Sequence, residues 1–175
     1  MIRNNRSETR QLAVLALLVS LNIILSRVGS IRVPLGGVEG FRIGFGAFPL
    51  VFAGLVYGPA GGAIVGTAGD LLGYFINPMG GYLPIFTLTA ALRGFLPGLI
   101  WKMTGRPLTW TGVFLPLLAS GLCSALSVPF LLNAMFKVPL TVTLPGHLLS
   151  MCITVPLYTF IFLKLYRGLH RRGIF

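Results

Sequence analysis

Gly61-Gly62-Ala63-Ile64-Val65-Gly66-Thr67-Ala68-Gly69-Asp70-Leu71-Leu72-Gly73-Tyr74 is the stretch whose reading decides the fold. It reads as a membrane helix with a carboxylate partway along it. A charge near the bilayer centre costs roughly 2.5–3.5 kcal/mol on insertion scales. Such a group survives by facing a partner, a cavity or a ligand, so Asp70 is expected to point into a helical bundle.

Composition around this stretch agrees. Hydrophobic residues make up 55% of the 175-residue chain and charged residues 10%, against about 25% charged in soluble domains. Mean hydropathy is +0.87. The length suits one membrane domain with six spans, expected at 11–27, 43–57, 60–76, 85–102, 111–133 and 147–166. Turn chemistry punctuates them: Gly36-Gly37, Gly58-Pro59, Asn77-Pro78, Arg106-Pro107, and Pro139 to Pro145-Gly146. The basic start before Leu12–Leu25 resembles a signal peptide, but no small-residue cleavage site follows, so the run is read as a retained first span.

The net charge of +11 does not point to nucleic acid, because the basic residues are sparse between apolar runs rather than gathered on one face. Arg3, Arg6 and Arg10, then Lys102 and Arg106, then Lys164, Arg167, Arg171 and Arg172 fall on one side of an even-numbered bundle. The positive-inside rule makes that side, with both termini, cytoplasmic. Arg27, Arg32, Arg42 and Lys137 fall on the other side, against the rule. Attraction to an anionic ligand accounts for them where topology does not.

Small residues pattern the spans. Gly62-x-x-x-Gly66, Gly69-x-x-x-Gly73 and Gly94-x-x-x-Gly98 permit close helix approach in lipid. Ala13, Ala16 and Ser20 form a smooth face on the first helix, a candidate subunit interface. Counting from the outer surface, Asp70 and Arg93 lie about 9 and 12 Å deep at 1.5 Å per residue. With Arg27 and Arg42 they are candidates to line one outward-open cavity. The plainer alternative is a structural Asp70–Arg93 ion pair. Phe45, Tyr74 and Tyr82 stand at the same level, as a stacking wall or an interfacial belt. Asn133, an amide within a span, needs a hydrogen-bond partner.

Several classes are excluded. There is no G-x-x-x-x-G-K-[ST] phosphate loop and no G-x-S-x-G elbow. Cys123 and Cys152 have neither disulfide-scaffold nor metal-ligand spacing. The expectation is a binder without metal, cofactor or enzymatic engine.

Arg10 to Arg27, ending Ile24-Leu25-Ser26-Arg27, followed by Arg42-Ile43-Gly44-Phe45 and Phe48-Pro49, resembles the start of substrate-binding S components of energy-coupling factor (ECF) transporters. Gly58-Pro59-Ala60-Gly61-Gly62, Asp70-Leu71-Leu72-Gly73-Tyr74, Asn77-Pro78-Met79-Gly80-Gly81-Tyr82-Leu83-Pro84 and Thr87-Leu88-Thr89-Ala90 resemble the folate branch. The family's first-helix signature, Ala-x-x-x-Ala, is met here by Ala16-x-x-x-Ser20. The resemblance implies a six-helix bundle in the bacterial plasma membrane and a vitamin bound from outside. It also implies a transmembrane coupling (T) subunit and two ABC-type ATPase subunits as partners. Folate suits the residues: a pterin donates an amine and a ring N–H that Asp70 accepts in bidentate fashion. The two carboxylates of its glutamate tail call for guanidinium groups such as Arg27, Arg42 or Arg93. An S component for another ring compound competes with this reading. So does an autonomous channel or structural membrane protein whose outer arginines bind lipid.

Overall fold

Gly58-Pro59, where the second expected span stops and the third begins, is the sharpest feature of the backbone. The computed structural model describes residues 2–27, 30–35, 38–76 and 82–171, and the side chains of 8–26, 44–76 and 82–169. Its elements in order are α1 (Ile2–Arg27), β1 (Ser30–Leu35), β2 (Val38–Gly44), α2 (Ala47–Ile76), α3 (Pro84–Met103), α4 (Trp110–Phe136) and α5 (Leu140–Arg171). Within α2, Gly58 has φ 86° and ψ 179°, a left-handed conformation that breaks the element into two helical arms. The arms fold back on each other, because a Cβ on Gly62 would lie 2.7 Å from Gly54 Cα. A straight helix would hold those residues about 12 Å apart.

Among the described residues five helices are long and apolar enough to cross a membrane, α2 among them, holding the third expected span and all of the second but its first four residues. The remaining expectations need adjustment at their ends. Residues 43–46, expected at the start of the second span, end β2 and form a turn. The Pro139 carbonyl accepts from Val142 and Thr143, starting α5 well before the expected residue 147 and carrying it through Pro145. The first outer connection, expected as a loop, is an antiparallel hairpin with Ser30 opposite Gly44 and Leu35 opposite Val38. Its register slips between Val33 and Pro34, where proline lacks the ladder N–H.

The α2–α3 seam explains the glycine spacing. Added Cβ atoms on Gly62 and Gly94 would each collide with the other's carbonyl oxygen, and one on Gly66 would collide with that of Ala90. Gly98 is held equally close to Gly54 and Pro59. Gly69 lies on a different neighbour, where a Cβ would strike the side-chain oxygen of Asn22 on α1. Association in lipid rests on such close van der Waals packing, since apolar burial against apolar tails supplies little drive.

A ladder of rings joins α5 to α3 and to the first arm of α2. Trp101, Tyr166 and Phe162 pack together, with Phe162 5.7 Å from Phe52. The ladder continues through Phe48 to Tyr158 at 5.6 Å and from Tyr158 to Phe45 at 6.4 Å. Leu15, Leu18 and Val19 bring α1 into the same core.

Candidate ligand site

The antiparallel seam puts residue 62 beside 94 and 66 beside 90, so the next contact outward falls at 70 and 87. Thr87 Oγ1 donates to Asp70 Oδ2 at 2.5 Å. The Tyr82 hydroxyl lies 2.9 Å from Thr87 Oγ1, and since the threonine proton goes to Asp70, Tyr82 is the donor there. The result is a directed chain, Tyr82 to Thr87 to Asp70. Tyr74, one turn beyond Asp70, places its ring 5.2 Å from that of Tyr82. Thr87 is buried and Asp70 half-buried, and one bond from Thr87 leaves carboxylate acceptor capacity for a further donor.

Arg93 belongs to a different face. Six residues from Thr87 on α3, it is turned about 240° around the axis and sits about 9 Å deeper. Cys123 of α4 and His147 and Tyr158 of α5 are in its neighbourhood. No Asp70–Arg93 ion pair forms, and the Arg93 Nε is buried without a hydrogen-bond partner. The Arg93 backbone is held by Ser120, whose hydroxyl donates to its carbonyl at 2.8 Å. Tyr158 connects this region to the hairpin, donating to the Gly44 carbonyl at 2.5 Å. In the turn between β2 and α2 the Asn22 amide donates to the Gly46 carbonyl at 2.6 Å.

The other sequence candidates disperse. Phe45 is partly exposed at the foot of β2 and neighbours Tyr158. Asn133 donates to the Val138 carbonyl at 2.9 Å. It thereby closes the end of α4, where Lys137 is left-handed, and that explains its presence in a span without a ligand. Arg27 ends α1 and Arg42 lies in β2 opposite Arg32, but their side chains lie outside the described residues. Ala13, Ala16 and Ser20 are exposed on one side of α1, with Ser20 Oγ bonded to the Ala16 carbonyl. Thr87, Ser120 and Tyr158 went unassigned from sequence. Thr87 was within reach there, through the glycine register that pairs α2 with α3.

Comparison with known proteins points to one family. A family model described as "ECF-type riboflavin transporter, S component" matches residues 6–166. The folate transporter FolT of Clostridium novyi (strain NT) is 37% identical over 87 residues, 50% of this chain and 48% of that one. The match thus spans about half the length of this curated relative. The crystal structure of FolT bound with folic acid superposes with a TM-score of 0.70 at 25% identity, covering 87% of this chain and 89% of that one. An S component for biotin from an ECF-type ABC transporter gives a TM-score of 0.71 at 21% identity, covering 93% and 94%. At that identity it speaks for the fold alone.

Proposed function

The chain belongs to the ECF-type riboflavin transporter S-component family, whose members are multi-pass, non-enzymatic transporter subunits, and from that premise we propose that it binds folate or a reduced folate. Capture is from the outer side of the bacterial plasma membrane. The two arms of α2 act as separate crossings in a six-helix bundle with both termini cytoplasmic. Uptake depends on a coupling subunit and two ABC-type ATPases, with Ala13, Ala16 and Ser20 facing the coupling subunit.

The observation that carries this reading is the Tyr82–Thr87–Asp70 chain. It orients one carboxylate oxygen by a charge-assisted bond and leaves the carboxylate free to accept the paired N–H donors of a pterin edge. Tyr74 and Tyr82 offer rings for stacking. The buried, unpartnered Nε of Arg93 supports an anionic end on the ligand, with Arg27 and Arg42 assigned to the outer carboxylate. The folate ligand of the solved relative supports the same choice. The family's riboflavin description supports a second reading, a flavin at the same carboxylate. Mass spectrometry of small molecules co-purifying with the detergent-solubilised protein decides between them. A pterin-bearing ligand is expected, and an isoalloxazine in its place overturns folate.

A further inference from the structure

Thr87 uses its hydroxyl differently from four other threonines in the helices. Thr89, Thr143, Thr154 and Thr159 each donate to the carbonyl four residues back in their own helix, the ordinary role of a threonine there. Thr87 donates instead to a carboxylate on another helix, Asp70 of α2. Tyr82 gives its proton to Thr87, so both hydroxyl protons of this series run inward to Asp70. Among the described residues the bond from Thr87 is the one that Asp70 accepts. A ligand therefore meets acceptors only, the carboxylate oxygens and the Tyr82 oxygen. Such a site sorts rings by their donors. A 2-amino-4-oxopyrimidine edge, as in a pterin, presents an amine and a ring N–H side by side. A 2,4-dioxopyrimidine edge, as in lumazine or an isoalloxazine, presents one N–H between two carbonyls. One of those carbonyl oxygens would face a carboxylate oxygen.

We propose that Thr87 is a specificity-determining positioning residue: it fixes the rotation of the Asp70 carboxylate so that 2-amino-4-oxopyrimidine rings are selected over 2,4-dioxopyrimidine rings. The inference rests on the folate reading and narrows it to the ring edge that the carboxylate admits. The torsion that turns an aspartate carboxylate is broad and roughly two-fold, so the side chain does not hold that rotation by itself. A charge-assisted bond from a buried threonine does. Released from Thr87, the carboxylate turns to give one oxygen to the single N–H of a dioxo ring and moves the other away from the carbonyl. Affinity for both rings then falls, and falls more for the pterin.

Calorimetric titration of pterin and of lumazine into the purified full chain tests this role. Wild type should prefer pterin about 5- to 150-fold, the equivalent of about 1–3 kcal/mol for a mismatched buried pair. Thr87→Val should shrink that preference about fivefold, the equivalent of roughly 1 kcal/mol. Thr87→Ser, which keeps the hydroxyl, should retain it. Thr87→Ala removes the hydroxyl without adding bulk and should match Thr87→Val, so the test stands even if the valine protein does not melt cooperatively. Thr89→Val makes the same change at a hydroxyl bonded within its own helix and should keep the wild-type preference. A merely structural Thr87 would lower both affinities by one factor and leave their ratio unmoved. That result overturns the proposal, as does an equal shrinkage in Thr89→Val or equal affinity of wild type for the two rings. A wild type that binds neither ring refutes the folate reading and this inference with it. Tight pterin binding with a ratio indifferent to Thr87 refutes the inference alone.

Discussion

Gly94→Ala should damage ligand binding without touching the ligand. The added Cβ would stand 3.0 Å from Gly62 Cα and nearer still to the Gly62 carbonyl. Restoring ordinary contacts of about 3.5 Å requires α3 to move off α2 by roughly 1 Å. Because both partners at this crossing are backbone, no side-chain rotation relieves the clash. Overpacking of this kind costs about 1–3 kcal/mol, which for a chain of this size corresponds to a melting temperature roughly 2–12 °C lower. The same displacement carries Thr87 away from Asp70, stretching a 2.5 Å bond to about 3.5 Å, beyond hydrogen-bonding range. A hydrogen bond to a charged group contributes about 1.5–3 kcal/mol, so folate affinity should fall about 10- to 150-fold. Thermal melting and isothermal titration calorimetry of the purified protein measure both effects. Gly168→Ala, where the Cβ meets nothing, serves as the control and should melt no lower than wild type. A Gly94→Ala protein with wild-type melting and wild-type affinity would refute the seam as the device that sets the site.

Further expectations concern the periphery. Asn22→Ala leaves the Gly46 carbonyl without its donor, at a cost of about 1–3 kcal/mol, and should lower the melting temperature; an unchanged melt defeats that role. Arg93→Ala should weaken folate more than a pterin analogue lacking glutamate, and equal losses in calorimetric titrations would mark Arg93 as structural. Ala16→Trp, at an exposed position on α1, should leave folate binding intact and abolish ATP-dependent uptake in the assembled system. Full uptake by that variant would move the coupling surface elsewhere.

The membrane class and the glycine-packed pairing were legible in the sequence because both are local: apolar runs of fixed length, and glycines at intervals of four. Gly58 was legible as a turn because Gly58-Pro59 couples a residue free to adopt positive φ to one that lacks an N–H, and the chain does break there into two helical arms. The hairpin Ser30–Gly44 escaped notice because strands this short, interrupted by Pro34 and rich in glycine, lack a clear alternation. At the site, Asp70 stood out as the acid within a span, whereas its partner did not. Depth counted from each helix end placed Asp70 and Arg93 close together, but depth ignores rotation about the axis, and rotation turns Arg93 towards α4 and α5. Asn133, an amide singled out for its polarity, donates to the Val138 carbonyl at the end of its own helix, a local partner that sequence polarity alone does not reveal.

Calorimetric titration of folic acid into wild type and Asp70→Asn tests the proposed site most directly. The substitution keeps the shape at Asp70, removes the charge that Thr87 supports, and turns one acceptor into a donor facing the pterin edge. A mismatched buried pair costs about 1–3 kcal/mol, so the expected result is a folded variant whose affinity is about 5- to 150-fold weaker. Equal affinity in wild type and a well-folded Asp70→Asn protein would contradict the assignment of Asp70 to the ligand.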